Sequence, residues 1–275
     1  MRGKEVSDVV MRELSETVRA LPYAPRLEMI RVGEDPASVI YGRGKTRAAE
    51  AIGVRSSLRV LPEGASQDEL MALVETLNAD PDVDGILLQL PLPGELEPEP
   101  ILQAIDPDKD VDGLHTVNIG RLWSGQKGLL PCTPAGLIRI LDHYQVPIAG
   151  RRAVVVGRSN LVGKPAAGLL LRRNATVSIA HSRTPDLPGL ARQADILVSA
   201  VGRPGLIEPG MVQPGAAVLD VGLTRVAGKI HGDVRPDVAD VAGYLTPMPG
   251  GTGVMTVTML MQNTVDAAVA RRGRA

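Results

Sequence analysis

The chain has 275 residues, 44% of them hydrophobic and 22% charged, with a formal net charge of −1. That length suits two domains with a core each, and such ordinary fractions exclude a disordered or fibrous chain. Thirty cations against thirty-one anions leave no electrostatic footprint for nucleic acid or an anionic membrane surface. No run approaches the ~18 apolar residues of a membrane span, and the opening Met-Arg-Gly-Lys-Glu-Val lacks the apolar stretch of a secretory signal. Cys132 is the single cysteine, which excludes an internal disulfide and a cysteine-built metal cluster. The expectation is a cytoplasmic protein with no metal site. Phe is absent, so the core is expected to be aliphatic, with few aromatic platforms for a flat ligand.

Val6, Val9, Val10, Leu14, Val18 and Leu21 recur at helical spacing, predicting an amphipathic helix stopped near Pro22. Arg26 to Val32 reads as a strand. Asp35 and Pro36 supply an N-cap and a first-turn proline for a helix through about Ile52, with Gly53 as its stop. Val54 to Leu61 reads as strand, and Ser66-Gln67-Asp68-Glu69 as a capping box before Leu70, Leu73 and Leu77. The run Asp84 to Pro91 predicts a buried parallel strand. Between about Pro107 and Pro131 the pattern is loop-like, and Thr133-Pro134 opens a helix through about Tyr144. Four buried strands follow at Ala153–Val156, Thr176–Ala180, Ile196–Ala200 and Ala217–Val221, then a last helix from about Thr256 to Ala270. This alternation predicts an α/β protein of two domains.

The stretch Gly157-Arg158-Ser159-Asn160-Leu161-Val162-Gly163-Lys164-Pro165 is a glycine turn between a buried strand and a helix. Glycines there let backbone N–H groups approach a pyrophosphate at a helix N-terminus, although the spacing is not the common G-x-G-x-x-G. A ligand-free strand–helix turn is the alternative. At the end of the next strand, where NAD sites carry an acidic residue, stand His181-Ser182-Arg183-Thr184. Ser182 with Arg158 or Arg183 suits a 2′-phosphate, so NADP is the expected cofactor.

On the predicted helix after Asp35, Ser38, Tyr41 and Lys45 share one face at i, i+3 and i+7, with Gly42 and Gly44 between Tyr41 and Lys45. Small residues beside Tyr and Lys point to a ligand close to the backbone. An ordinary amphipathic turn is the plainer explanation of an isolated Tyr-x-x-x-Lys. A short-chain dehydrogenase reading fails on order, because there the pair follows the glycine loop within the nucleotide domain. Gln89 closes the Asp84 strand, while Lys109-Asp110-Val111-Asp112-Gly113, Asn118 and Pro131-Cys132-Thr133-Pro134 lie in or beside the loop region. Taken singly, each is more often structural: loop carboxylates cap turns and a Cys before a helix packs. Their clustering at strand ends raises the functional reading.

These segments together resemble the bifunctional methylenetetrahydrofolate dehydrogenase/cyclohydrolase family, the FolD type. The matching pieces are Val32-Gly33-Glu34-Asp35-Pro36-Ala37-Ser38 with Tyr41 and Lys45, Asp84 to Pro93, Lys109 to Gly113, Pro131 to Pro134, Gly157 to Gly163, and Pro249 to Thr256. They keep the family's order over nearly the whole chain. The resemblance implies a folate-binding catalytic domain (1–140 with 253–275), a Rossmann-type NADP domain (141–252), a cleft between them and a homodimer. It implies Lys45 as the acid/base residue, Tyr41 stacked on the pterin, Gln89 tuning Lys45, and Asp112 bound to the pterin. Ser38, Pro249, Gly250 and Gly251 would complete the folate site. Gly157, Arg158, Ser159, Gly163, Ser182 and Arg183 would hold NADP. Tetrahydrofolate one-carbon derivatives are the implied partners.

The residue types suit that chemistry. A pterin edge offers adjacent N–H donors that one carboxylate accepts together. Loss of hydride from the methylene bridge needs positioning more than a base, whereas hydrolysis of the resulting cation needs a titrating group. A lysine begins near a pKa of about 10.4, and burial lowers it toward the useful range. The chain departs from the family's Gly-Gly-Val-Gly-Pro-Met-Thr at Thr252 and Val254, losing a first-turn proline. A shikimate-dehydrogenase-like reductase shares the layout and NADP preference but leaves Tyr41 and the Pro249-Gly250-Gly251 turn unexplained. A dehydrogenase without the hydrolytic step and a non-enzymatic NADP sensor are the other readings, since fold alone does not separate functions.

Overall fold

The computed structural model describes residues 1–34, 36–226 and 228–273, and the side chains of 36–41 are outside the described part. The expected N-cap, Asp35, and the side chains of Ser38 and Tyr41 therefore lie outside the described residues. The chain divides into two compact units, Met1–Asp8 with Thr133–Thr256, and Val9–Cys132 with Val257–Ala275. We call these the nucleotide-type unit and the lysine unit.

The lysine unit starts in α1 (Gly3–Ala20), whose apolar residues Val6, Val10, Leu14 and Val18 are all buried, as the 3.6-residue period requires. Next come β1 (Arg26–Val32), α2 (Pro36–Ile52), β2 (Arg55–Leu61), α3 (Gln67–Ala79) and β3 (Gly85–Leu88). Gly53 ends α2 with φ +84°, a left-handed position that glycine adopts without strain. The capping box of α3 is complete: Ser66 Oγ accepts from the Glu69 N–H, and Glu69 accepts from the Ser66 N–H at 2.8 Å. The three strands are parallel in the order β2-β1-β3. Their core joins Ile30, Val32, Leu70, Val74, Ile86, Leu88 and Ile101. Each such side chain contributes about 2 kcal/mol by leaving water.

Two helices here were not expected. α4 (Pro98–Ala104) follows β3 with Pro98 in its first turn, and α5 (Thr116–Trp123) occupies the stretch read as loop. α5 is capped by the His115 ring, which accepts from the Val117 N–H at 3.0 Å, and it buries Asn118 and Leu122. Eight residues are too few for a periodic signal, and a histidine cap has no ready signature in the chain.

The nucleotide-type unit holds most of α6 (Cys132–His143), then β4 (Arg152–Val156), α7 (Gly163–Arg172), β5 (Thr176–Ala180), α8 (Leu187–Ala191), β6 (Ile196–Ser199), β7 (Ala217–Asp220), β8 (Thr224–Val226), β9 (Lys229–His231) and β10 (Tyr244–Leu245). Its five-stranded sheet is wholly parallel in the order β10-β7-β6-β4-β5. Counted from β4 this is the doubly wound order 2-1-3-4-5, a Rossmann-type arrangement whose switch point lies between β4 and β6. β5, expected to be buried, is a half-exposed edge with Ile179 at the surface. The antiparallel β8–β9 hairpin and the two-residue β10 were not expected. Two buried aspartates hold that hairpin: Asp220 accepts from the N–H groups of Gly222, Asp233 and Val234, and Asp233 accepts from Ser199, Val201 and Arg203.

The last helix, α9 (Thr252–Arg272), starts four residues earlier than expected. Thr252, one of the family departures, is buried and donates its hydroxyl to the Asp220 carbonyl at 2.7 Å. The unit boundaries at 132/133 and 256/257 stand where the sequence reading puts 140/141 and 252/253. Residues 1–8 join the nucleotide-type unit because Gly3 N–H donates to the Gly250 carbonyl and Arg2 N–H to the Tyr144 hydroxyl. No helix among the described residues is long and apolar enough to cross a membrane.

Candidate active site

In the lysine unit, Lys45 is half-buried near the middle of α2. Burial lowers its pKa from the usual lysine value, opposed by the charges of Asp112 and Cys132. The carboxyl of Asp112 is raised to about 6, first by burial, against the pull of Lys45. Burial and Asp112 push the Cys132 thiol up, so it is a neutral hydrogen-bond donor, bonded to Asp112 and 3.3 Å from the Val111 carbonyl. Three titrating groups from α2, the loop before α5 and the start of α6 thus form one electrostatic cluster. Gln89, buried at the end of β3, sits with its Oε1 3.5 Å from where a Cβ on Gly42 would be. Gly42 is one of the two α2 glycines, and a Cβ there would make only an ordinary contact with that glutamine.

The motif Lys109 to Gly113 separates into different tasks. Lys109 is fully buried and its Nζ donates to the carbonyls of Leu77, Asn78 and Asp80, closing the C-terminal end of α3. Asp110 is buried and accepts from the N–H groups of Gly113 and His115 and from Asn118. Val111 fills the core against Gly85, where a Cβ would fall 2.5 Å from its Cγ1. Gly113 has φ +74° and abuts Leu130, a Cβ there falling 2.3 Å from the Leu130 carbonyl carbon. Asp112 alone is left half-exposed with a perturbed carboxyl.

In the nucleotide-type unit, Gly157 follows β4 with φ +125°, and a Cβ there would lie 2.5 Å from the Ala200 carbonyl oxygen after β6. A Cβ on Gly163 would fall 2.2 Å from the Gly157 oxygen. Both glycines are required to bring strand, turn and helix together at the switch point, where doubly wound sheets bind ligands. Ser159 Oγ accepts from the N–H groups of Val162 and Gly163 at 3.1 and 3.3 Å. Arg158, Ser182 and Arg183 are exposed, and the β5 turn is set by Thr184 and the His181 ring rather than by a carboxylate. Pro249, Gly250 and Gly251 precede α9, Gly250 with φ +98° and Gly251 pressed on Pro247, whose oxygen a Cβ would approach to 2.4 Å. The sequence reading places Cys132 in a motif without giving it a role, and it does not reach Asn263 of α9, which donates to the Val111 and Leu130 carbonyls. Nothing in the motif pattern flags a lone asparagine within a helix. No three His, Cys, Asp or Glu side chains among the described residues are grouped to hold a metal ion.

A doubly wound sheet with a glycine turn at its switch point, in one chain with a second α/β unit carrying a desolvated lysine, defines an α/β protein of the dinucleotide-binding class. Residues 1–112 match the tetrahydrofolate dehydrogenase/cyclohydrolase catalytic domain, and residues 131–272 match the NAD(P)-binding domain of the same family. The bifunctional protein FolD of Thermus thermophilus is 54% identical over 272 residues, covering 99% of this chain and 96% of that protein. The crystal structure of the bifunctional FolD dehydrogenase/cyclohydrolase of Campylobacter jejuni is 42% identical with a TM-score of 0.96, covering 100% and 98% of the two chains. The Trypanosoma brucei FolD, a structure complexed with NADP and an inhibitor, is 38% identical with a TM-score of 0.92 over 100% and 98%. The chain belongs to the tetrahydrofolate dehydrogenase/cyclohydrolase family.

Proposed function

We propose that this enzyme oxidises 5,10-methylenetetrahydrofolate to 5,10-methenyltetrahydrofolate with NADP and hydrolyses the product to 10-formyltetrahydrofolate in one-carbon metabolism. The observation that carries the reading is the cluster of Lys45, Asp112 and Cys132, in which burial holds an amine below its ordinary pKa beside a carboxyl at about 6. Family membership and full-length likeness support both steps, which the shikimate-dehydrogenase-like reading does not accommodate.

The residues present fit the cofactor. The two glycines keep side chains out of the β4–α7 turn, and the β5 end carries Ser182 and Arg183 in place of an acid. Arg158, Ser159, Ser182 and Arg183 hold NADP, with Gly157 and Gly163 forming its turn. NADP when bound supplies the hydride acceptor.

Asp112 accepts the paired N–H groups of the pterin, with Ser38, Tyr41, Pro249, Gly250 and Gly251 lining the folate. Tyr41 stacks on the ring and Gln89 orients Lys45. The neutral Lys45 amine takes a proton from water as its oxygen bonds to the methenyl carbon. The ammonium then returns a proton to the ring nitrogen as the carbon–nitrogen bond breaks, and the hydroxyl left on the carbon gives up its remaining proton to solvent water as the formyl C=O forms. The catalytic domain comprises 1–140 with 253–275, the NADP domain comprises 141–252, and the protein works as a cytoplasmic homodimer. Purified protein mixed with methylenetetrahydrofolate and either NADP or NAD tests the reading through methenyl and reduced-cofactor absorbance. No absorbance change with either cofactor overturns it.

A further inference from the structure

Two segments of the lysine unit run against each other, residues 111–113 and 130–132. Cys132 N–H donates to the Asp112 carbonyl at 3.3 Å, and Cys132 Sγ lies 3.3 Å from the Val111 carbonyl. Asn263, 4% exposed on α9, reaches both segments with one side-chain amide. Its Nδ2 donates to the Val111 carbonyl at 2.8 Å and to the Leu130 carbonyl at 2.8 Å, and lies 3.6 Å from Cys132 Sγ. A primary amide has two hydrogens, and each is spent on a different segment. The carbonyl it holds on the first is that of the residue directly before Asp112. The sulfur it touches on the second belongs to the thiol that bonds the Asp112 carboxyl.

We propose that Asn263 is a positioning residue for Asp112: its amide clamps the 111–113 and 130–132 segments so that carboxyl and thiol meet in one arrangement. A recognition carboxylate needs placement to about 0.5 Å, which a loop gains only from such support. The alternative is a purely structural tie between α9 and the loop, which would cost stability without acting through Asp112. The proposal rests on the substrate reading of Asp112, so the test separates the two.

The test is a double-mutant cycle of Asn263→Ala with Asp112→Asn, read as KM for methylenetetrahydrofolate, KM for NADP and kcat. Asn263→Ala is expected to raise the folate KM about tenfold with little change in kcat or in the NADP KM. In the Asp112→Asn background the same change is expected to add less than about twofold, the non-additivity of groups acting as a unit. Asn263→Ser, which keeps one donor, is expected to fall between wild type and Asn263→Ala, and it carries the cycle should Asn263→Ala not fold. An equal factor in both backgrounds, or a folate KM unmoved in both variants, overturns the clamp. If Asp112→Asn itself has a wild-type folate KM while Asn263→Ala raises it, the Asp112 reading fails and positioning through that residue fails with it.

Discussion

Lys45 and Asp112 oppose each other's desolvation: the carboxylate raises the amine pKa that burial lowers, and the ammonium lowers the carboxyl pKa that burial raises. Each group's titration is therefore set partly by the other. Below about pH 6 Asp112 is protonated and loses an acceptor for the pterin edge. The folate KM should fall as pH rises through that range. Lys45→Met removes the charge that holds Asp112 down, so the midpoint of the folate KM profile should move above about 6. A midpoint unchanged in the variant contradicts the coupling.

The same substitution separates the two reactions. Water addition requires a proton acceptor, whereas hydride departure requires alignment. Lys45→Met should slow hydrolysis of methenyltetrahydrofolate by about a thousandfold, the usual worth of a general base. Methenyl absorbance should then accumulate during oxidation of the methylene substrate. Full retention of hydrolysis in the variant removes Lys45 from its role.

Arg158 is exposed beside the glycine turn, with no acid at the β5 end to repel a phosphate. Arg158→Ala should weaken NADP about tenfold or more and leave NAD within about twofold, since a charge-assisted bond to phosphate is worth about 1.5–3 kcal/mol. Equal losses for both cofactors would discard the 2′-phosphate assignment. Raised salt should weaken NADP more than NAD in the wild-type enzyme.

Lys109 presents a different outcome. Its ammonium meets three carbonyls at the end of α3. Lys109→Met takes the ammonium donor from the Leu77, Asn78 and Asp80 carbonyls, of which Asp80 still accepts from the Val83 N–H, and should cost about 3 kcal/mol of stability. Urea unfolding should show a lower midpoint, with NADP affinity of the folded fraction unaffected. An unfolding midpoint within error of wild type would remove Lys109 from its structural post.

Much of this is legible in the amino-acid sequence. Strands β1 and β5 start and end where alternation and flanking breakers place them, and the α3 capping box is a local interaction that four residues specify. The order of motifs identified the family. What stayed hidden depends on contacts between distant residues. Lys109 and Asp110 stand in one motif with Asp112, and the sequence does not tell their tasks apart: Lys109 is committed to carbonyls about thirty positions away, and Asp110 to the turn it stands in. Asn263 meets Val111 across 152 positions and Leu130 across 133, with no periodicity to announce it. The β8–β9 hairpin takes its place from Asp220 and Asp233, and its short, exposed strands carry no apolar pattern.

The chain passes between its two units at residues 8/9, 132/133 and 256/257, and the lysine unit receives its closing helix last. Asp84, buried at the head of β3, is paired by Arg272 through Nε at 2.8 Å, and Arg272 also lies over the Tyr23 ring. During synthesis, then, the half that emerges from the ribosome first waits for the final turn before its buried acid acquires a counter-ion. A single proteolytic nick would liberate neither half intact.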